Sequence, residues 1–136
     1  MLNEELIEIA KRARENAYAP YSKFLVGAAL LSADGQVFTG CNIENSSYGL
    51  TMCAERTAVF KAVSEGARQF TRIAVVADTD ILTPPCGACR QVLWDFSHDL
   101  EVVLGNLNGK IEIHQMRDLY PRAFDSEFFA PEVSTD

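Results

Sequence analysis

The segment from Arg72 to Leu104 constrains the fold most, because it places a helix pattern between two apolar runs typical of strands. Residues 72–77 (RIAVVA) are apolar and β-branched, as expected of a strand buried on both faces. Pro84-Pro85 breaks the chain before a helix pattern over 87–96, and a second apolar run follows over 100–104. Strands joined through a helix pair in parallel by a right-handed crossover. The segment therefore predicts a parallel strand pair.

Two short links predict antiparallel pairing for the other strands. Asp34-Gly35, between strand-like runs at 24–31 and 36–42, is a strong hairpin signal. Asn108-Gly109 precedes a last, alternating strand-like run at 110–116, and so short a link allows only antiparallel neighbours. Together with the parallel pair, these runs predict a mixed sheet of five strands.

Helix patterns surround the strands. Leu2 to Ala17 carries apolar residues on one face and ends before Pro20, whose ring blocks continuation. Residues 50–64 are rich in helix formers and precede Gly66, a typical helix stop. With the helix at 87–96, the chain is predicted to form an α/β fold, a three-layer α/β/α sandwich around the mixed five-stranded sheet.

Length and charge narrow the class of protein. The 136 residues suit one domain spanning 1–136, with about 125–136 as a loosely held acidic tail. The net charge of -7 would repel a phosphate backbone, so we expect no nucleic-acid partner. The N-terminus is charged from Glu4 onward, and no apolar run approaches the ~20 residues of a membrane span. We therefore expect a cytoplasmic protein with reduced thiols and no membrane partner.

The cysteines, at positions 41, 53, 86 and 89, carry the strongest chemical signal. On its own, Cys86-Gly-Ala-Cys89 at a helix start is as compatible with thiol redox chemistry as with a metal. Cys53 favours the metal, because it also lies at a predicted helix start and two helix N-termini can direct thiolates to one point. Three protein ligands with an open fourth position are typical of catalytic zinc, so we predict one Zn²⁺ per chain.

A fourth protein ligand would close the site and make it structural. His98 lies near the end of the helix that Cys86 begins, about 18 Å away at ~1.5 Å per residue, which is too far. His114 lies within a predicted strand and is interpreted as a surface or packed histidine. Cys41 is interpreted as a small apolar core residue.

Charged residues beside the cysteines favour catalysis. Glu55, two residues after Cys53, could exchange protons with a water in the open position. The alternative is a first-turn acid that complements the helix dipole. Three thiolates over-neutralise Zn²⁺, so a nearby cation is expected. Arg56 and Arg90 follow the cysteines at helical spacing, and we predict that at least Arg56 donates to cysteine sulfur.

These motifs resemble those of the zinc-dependent cytidine deaminases, in particular the small homotetrameric type with three cysteine ligands. The matching segments cover nearly the whole chain and are Tyr18-Ala-Pro-Tyr-Ser-Lys-Phe24, Gly40-Cys-Asn-Ile-Glu-Asn45, Cys53-Ala-Glu-Arg56, Pro85-Cys86-Gly87-Ala88-Cys89 and Pro121-Arg-Ala-Phe124. The resemblance implies zinc-dependent hydrolysis of cytidine and 2′-deoxycytidine to uridine and 2′-deoxyuridine plus ammonia, in pyrimidine salvage.

The resemblance also implies roles for individual residues. Cys53, Cys86 and Cys89 would hold the zinc, and Glu55 would carry protons to the base and the departing amine. Phe24 and the backbone N–H of Ala54 would bind the base, and Asn42 and Glu44 would bind the ribose hydroxyls. Tyr48, with Phe124 of a neighbouring subunit, would complete the pocket. Such shared active sites imply a homotetramer.

The residues alone leave alternatives open. Phe24 would more often be a core residue than a stacking surface, and Asn42 and Glu44 could be ordinary strand-end polarity. A carboxylate at Glu44 would repel a 5′-phosphate, which favours a nucleoside over a nucleotide. The competing functions are a redox module, a structural zinc protein, a blasticidin-type deaminase and a nucleic-acid editor. The Phe24 and 42–45 segments fit cytidine better than blasticidin.

Overall fold

In the computed structural model, residues 1–129 are described, and the end of the predicted acidic tail, 130–136, lies outside the described residues. The elements are α1 (Asn3–Arg14), β1 (Val26–Ser32), β2 (Val37–Cys41), a 3₁₀ turn (Tyr48–Leu50), α2 (Ala54–Ser64), β3 (Phe70–Ala77), α3 (Gly87–Phe96), β4 (Glu101–Gly105), β5 (Ile111–Gln115), α4 (Met116–Leu119) and a second 3₁₀ turn (Ser126–Phe128).

The strands form one mixed five-stranded sheet in the order β2-β1-β3-β4-β5. β3 and β4 pair in parallel, with Val75 opposite Leu104, and helix α3 makes the crossover between them. The pairs β1–β2, β1–β3 and β4–β5 are antiparallel. The predicted mixed sheet is confirmed, because the helical connection makes β3–β4 parallel and the short turns make β1–β2 and β4–β5 antiparallel.

Helices cover both faces of the sheet and complete three layers. α1 packs its apolar face on one side, where Ala10 contacts the cluster formed by the outer-facing residues of β1, β3 and β4. α2 and α3 pack on the other side over a larger core that includes Val59 and Leu93. Alternate residues of β1 serve the two cores, since successive side chains of a strand point to opposite faces. The predicted α/β sandwich is confirmed.

Two glycines let the helices approach the sheet closely. A Cβ on Gly27 would lie 2.1 Å from the Ala10 carbonyl oxygen of α1. A Cβ on Gly40 would lie 2.3 Å from the Ala54 carbonyl oxygen of α2. Both distances are shorter than any real contact, so only glycine fits. The second contact fixes the first turn of α2 against β2, directly after Cys53.

Two helix boundaries differ from the prediction. α1 ends at Arg14, three residues before the predicted Ala17, and the chain turns there well ahead of Pro20. α2 begins at Ala54 rather than at residue 50, because Cys53 has extended backbone angles (φ -75°, ψ 154°) and serves as the N-cap. The predicted helix over 87–96 is confirmed to the residue.

The start of the predicted tail is in contact with α3. The Trp94 indole N–H donates to the Asp125 carboxylate at 3.2 Å, and Gln91 donates to the Phe124 carbonyl at 2.8 Å. The residues from Ser126 to Phe128 form a single 3₁₀ turn. Within residues 1–129, no helix is long and apolar enough to cross a membrane.

Candidate metal centre

Two helix N-termini bring three cysteines together. Cys53 is the N-cap of α2, Cys86 is the N-cap of α3, and Cys89 lies in the first turn of α3. The Sγ atoms of Cys53 and Cys86 are 3.8 Å apart, those of Cys86 and Cys89 are 3.5 Å apart, and all lie within 4.8 Å of one another. The structure thus gathers the three thiols that the sequence singled out as ligands.

The sulfur spacing fits a tetrahedral zinc ion. Zn–S bonds of about 2.3 Å at tetrahedral angles separate two sulfurs by about 3.8 Å, close to the spacing found here. Cys89 is buried, Cys53 is half-buried and Cys86 is exposed, so the cluster opens toward solvent on the Cys86 side. Three thiolates with one open side can bind the metal and leave a position for a water or substrate.

The other candidate ligands lie elsewhere. The His98 ring stacks on Trp94, with ring centroids 4.0 Å apart, and His114 on β5 contacts Glu112. Cys41 is half-buried on β2 rather than a fully buried core residue. Among residues 1–129, the three cysteines are the one group of three or more metal-binding side chains with this close spacing.

Arg56 contacts the cluster directly. Its Nη2 donates to the Cys53 Sγ at 3.3 Å. The pKa of Cys53 is lowered to about 5, chiefly because the Cys89 thiol donates to its sulfur and also because Arg56 does. The pKa of Cys89 is raised, because its thiol donates to Cys53 and burial disfavours its charged form. Arg56 is thus placed to offset negative charge on the Cys53 sulfur.

Arg90 has a different position despite its similar spacing in sequence. Its Nε donates to the Pro85 carbonyl at 2.8 Å, and its Nη1 donates to the Leu119 carbonyl at 2.7 Å. These bonds fix the backbone immediately before Cys86 and tie it to the end of α4. Arg90 therefore holds the loop that presents the thiols, whereas Arg56 meets a thiol itself.

Glu55 lies beside the cysteines in the first turn of α2 and is only 5% exposed. Its pKa is raised to about 7, chiefly by burial and also by the neighbouring charge of Cys53. Ala54, fully buried before it, is the first helical residue, so its backbone N–H has no partner within the helix. The centre thus offers a carboxyl group and a free backbone donor next to the three sulfurs.

Asn42 and Glu44 are both buried and flank the exposed Ile43, as alternation along an extended chain requires. β2 ends at Cys41, but bridges from Ile43 to Tyr18 and Met52 continue the extended conformation. The two polar side chains therefore share a face, although that face belongs to a bridge segment and not to β2.

The Glu44 carboxylate is held by the loop that precedes β1. Its Oε1 accepts the backbone N–H groups of Tyr21 at 3.0 Å and Ser22 at 3.1 Å, and its Oε2 accepts the Ser22 hydroxyl. The pKa of Glu44 is lowered, chiefly by the Ser22 hydroxyl and then by these backbone donors. The sequence analysis did not single out Ser22, although it lies within the Tyr18–Phe24 motif.

Asn42 holds Phe24 in place. Its Oδ1 accepts the Val26 N–H at 2.9 Å, and its Nδ2 donates to the Phe24 carbonyl at 2.7 Å. The Phe24 side chain is 42% exposed, so the reading of Phe24 as a core residue is wrong. An exposed ring on a braced backbone is suited to stacking against a flat ligand.

Tyr48 and Phe124 lie on the surface of the single chain. Tyr48 is 61% exposed and meets the Tyr21 ring edge-on, with centroids 6.3 Å apart. Phe124 is 51% exposed and stacks on Phe128, with centroids 5.3 Å apart. Tyr48 thus lies next to the loop that holds Glu44, whereas Phe124 packs with its own C-terminal neighbours.

A mixed sheet with three thiols gathered at two helix N-termini beside a buried glutamate defines a zinc-dependent deaminase of the nucleobase class. The family model for the cytidine and deoxycytidylate deaminase zinc-binding region matches residues 1–105, and the chain belongs to this family. Zinc is accordingly the cofactor of this family, and the three cysteines are spaced closely enough to hold it.

Individual relatives agree with the family. A cytidine deaminase of Sporosarcina psychrophila is 58% identical over 125 residues, which are 91% of this chain and 92% of that protein. The crystal structure of a cytidine deaminase from Burkholderia pseudomallei has a TM-score of 0.89 and 55% identity, covering 91% of this chain and 100% of that one. A blasticidin-S deaminase of Bacillus cereus is 32% identical over 125 residues, which are 86% of this chain and 88% of that protein.

Proposed function

We propose that this enzyme removes the amino group of cytidine and 2′-deoxycytidine by hydrolysis of the C4–N bond, giving uridine or 2′-deoxyuridine and ammonia. The observation that carries the proposal is the buried carboxyl group of Glu55 beside three sulfurs at zinc-binding distances. Neither a redox pair nor a structural zinc site needs a buried acid at that point. The names of the similar cytidine deaminases support the same substrate class.

The cysteines and Glu55 divide the chemistry between them. Cys53, Cys86 and Cys89 would hold the zinc, and the bound ion would lower the pKa of a water so that this water could attack C4 of the pyrimidine. Glu55 takes a proton from that water and donates it to N3 of the base. It then passes the second proton of the same water to the amino group, so that the C4–N bond breaks and ammonia leaves.

The substrate contacts follow from the groups that remain free. The Ala54 N–H donates to the carbonyl oxygen of the base, and the exposed Phe24 ring lies against its face. Asn42 uses one amide N–H and one oxygen lone pair in hydrogen bonds to the backbone. Its second amide N–H and second lone pair are available to a ribose hydroxyl. Glu44 accepts two hydrogen bonds at Oε1 and one at Oε2, so one lone pair of Oε2 remains available.

The acidic pocket favours a nucleoside over a nucleotide. Glu44 is buried and its lowered pKa keeps it ionised, so a 5′-phosphate in the same compact pocket would be repelled. Turnover of CMP at a rate comparable to that of cytidine would contradict this preference. Blasticidin S is the appropriate second comparison substrate, because a relative carries that name.

The test of the function is loss of cytosine absorbance on incubation with cytidine, together with the zinc content. Glu55→Gln should lower kcat by roughly 10²–10⁴-fold because proton transfer is lost, with fold and zinc retained. Glu65→Gln, an exposed glutamate at the other end of α2, is the matched control. Normal turnover by Glu55→Gln would support a structural zinc protein, and a metal-free Cys86–Cys89 disulfide would support a redox module.

We further propose a cytoplasmic homotetramer of single-domain chains, acting in pyrimidine salvage, in which Tyr48 and a neighbour's Phe124 complete each pocket. Exposed aromatic rings at both positions support this arrangement.

Light scattering should give the mass of four chains. Coexpression of Phe124→Ala with Glu55→Gln should restore activity in mixed assemblies, because a chain with Glu55 then meets an intact Phe124. A monomer, or no restoration, would contradict shared sites.

A further inference from the structure

The Ser22 side chain connects the two halves of the substrate pocket. Its hydroxyl donates to Oε2 of Glu44, and the Ser22 Oγ in turn accepts the Phe24 backbone N–H at 3.0 Å. The ribose-facing acid and the base-facing ring are therefore joined through one hydroxyl group. The two residues it joins are 20 positions apart in sequence, so no local rule pairs them.

The loop around Ser22 is held mainly by hydrogen bonds to Asn42 and Glu44. Residues 21–24 are exposed, and Lys23 has a left-handed backbone (φ 62°), a conformation that non-glycine residues rarely adopt. The Lys23 N–H donates to the Ala19 carbonyl at 3.1 Å, which closes the turn but does not reach the pocket. Of the three donors from this loop to Glu44, the Ser22 hydroxyl is the one that reaches Oε2.

The hydroxyl also sets which acceptor positions of Glu44 remain free. Backbone donors occupy Oε1, and Ser22 occupies one lone pair of Oε2, so the last lone pair of Oε2 has a defined direction. Without the hydroxyl, the carboxylate would be held through Oε1 alone, and the position of Oε2 would be less well defined because the terminal sp³–sp² torsion is broad. A fixed acceptor binds a ribose hydroxyl better than a rotating one, because less freedom is lost on binding.

We propose that Ser22 is a positioning residue that aims the Glu44 carboxylate at the ribose and thereby selects nucleosides that carry ribose hydroxyls. This inference rests on the proposed function, since it assigns Glu44 to the sugar. It predicts that Ser22 matters for ligands with a 2′- or 3′-hydroxyl and is nearly silent for ligands without them.

The experiment measures, by calorimetry, the binding of uridine and of 2′,3′-dideoxyuridine to the zinc-loaded enzyme. Ser22→Ala should weaken uridine binding roughly tenfold, as expected for losing one hydrogen bond to a charged acceptor, and dideoxyuridine binding less than about twofold. With cytidine as substrate, KM should rise by a similar factor while kcat changes little. Ser22→Thr, which keeps the hydroxyl, should restore both values.

Ser64→Ala is the matched control, because it removes an exposed hydroxyl that donates to the Lys61 carbonyl within α2. If Ser22→Ala fails to fold, Ser22→Cys offers a similar shape with only a weak donor and permits the same comparison. Equal weakening of both ligands, or no weakening of either, overturns the inference. A wild-type enzyme that binds uridine but does not deaminate cytidine would instead overturn the proposed function.

Discussion

The metal centre and the ribose side of the pocket are built in different ways. The cysteines and Glu55 are placed by α2 and α3, whose packing on the sheet holds the helix N-termini rigidly. Asn42, Glu44 and Phe24 lie on loops and a bridge segment, where side chain to backbone hydrogen bonds do the holding. The first construction suits chemistry that tolerates little displacement, and the second suits recognition. Changes at the metal centre should therefore lower kcat, and changes at the ribose side should raise KM.

The largest effect is expected from the buried ligand at the metal centre. Cys89→Ser should lower activity by more than about 10³-fold and reduce zinc below half an ion per chain, because a soft thiolate ligand is lost. Zinc analysis and the cytidine assay measure both effects. Cys41→Ser, at the half-buried cysteine outside the cluster, should retain zinc and activity. Loss of zinc from the Cys41 variant would show that the metal lies elsewhere.

Arg56 tests the electrostatic part of the same centre. Arg56→Ala should speed zinc loss to a chelator by about 10–100-fold, because the donor to the Cys53 sulfur is removed. Arg90→Ala is the matched variant, and it should lower the thermal midpoint by loosening the loop before Cys86. If Arg56→Ala left both zinc retention and the pH profile unchanged, the charge-balancing role would be excluded.

Glu44 tests the other side of the comparison. Glu44→Gln should raise KM for cytidine about tenfold and change kcat less than about threefold, because the ribose acceptor is weakened while the zinc chemistry remains. Steady-state kinetics separate the two constants. Glu112→Gln on β5, where the carboxylate contacts His114, is the control. A loss confined to kcat would mean that the two regions are not functionally separate.

The smallest effect concerns pH. The pKa of Glu44 lies below its ordinary value of 4.5, because Ser22 and the backbone donate to the carboxylate. A lowered pKa means that the interaction is fully present above the ordinary value and is lost only as pH falls through the lowered one. Because Glu55, with a pKa of about 7, titrates within this range in both proteins, the measure is the ratio of KM for cytidine between Glu44→Gln and the wild type, which should change less than about twofold between about pH 7 and pH 5. A severalfold change of this ratio above pH 5 would contradict the assignment of Glu44.

Much of the fold was predictable because its signals are local. The apolar run over 72–77 and the break at Pro84-Pro85 predicted the parallel pair and the helix after it, and both are confirmed. The predicted start of α2, at residue 50, was four residues too early. Residues 50–53 were included in the helix pattern, but the extended backbone of the N-cap Cys53 excludes them from the helix. That N-cap is also what turns the Cys53 sulfur toward α3.

Local sequence patterns were enough to predict the five strands, the three longer helices, and the presence of three thiols and an acid at helix starts. These features depend on neighbours within a few residues, where periodicity, proline breaks and helix ends act. Spacing along α2 also predicted that Arg56 meets a thiol, whereas the folded structure was needed to show that Arg90, at a similar spacing, donates to backbone carbonyls, one of them on Leu119 at the end of α4. The folded structure alone also paired Ser22 with Glu44. Such contacts join segments that the sheet and its helices bring together, so no pattern in the chain records them.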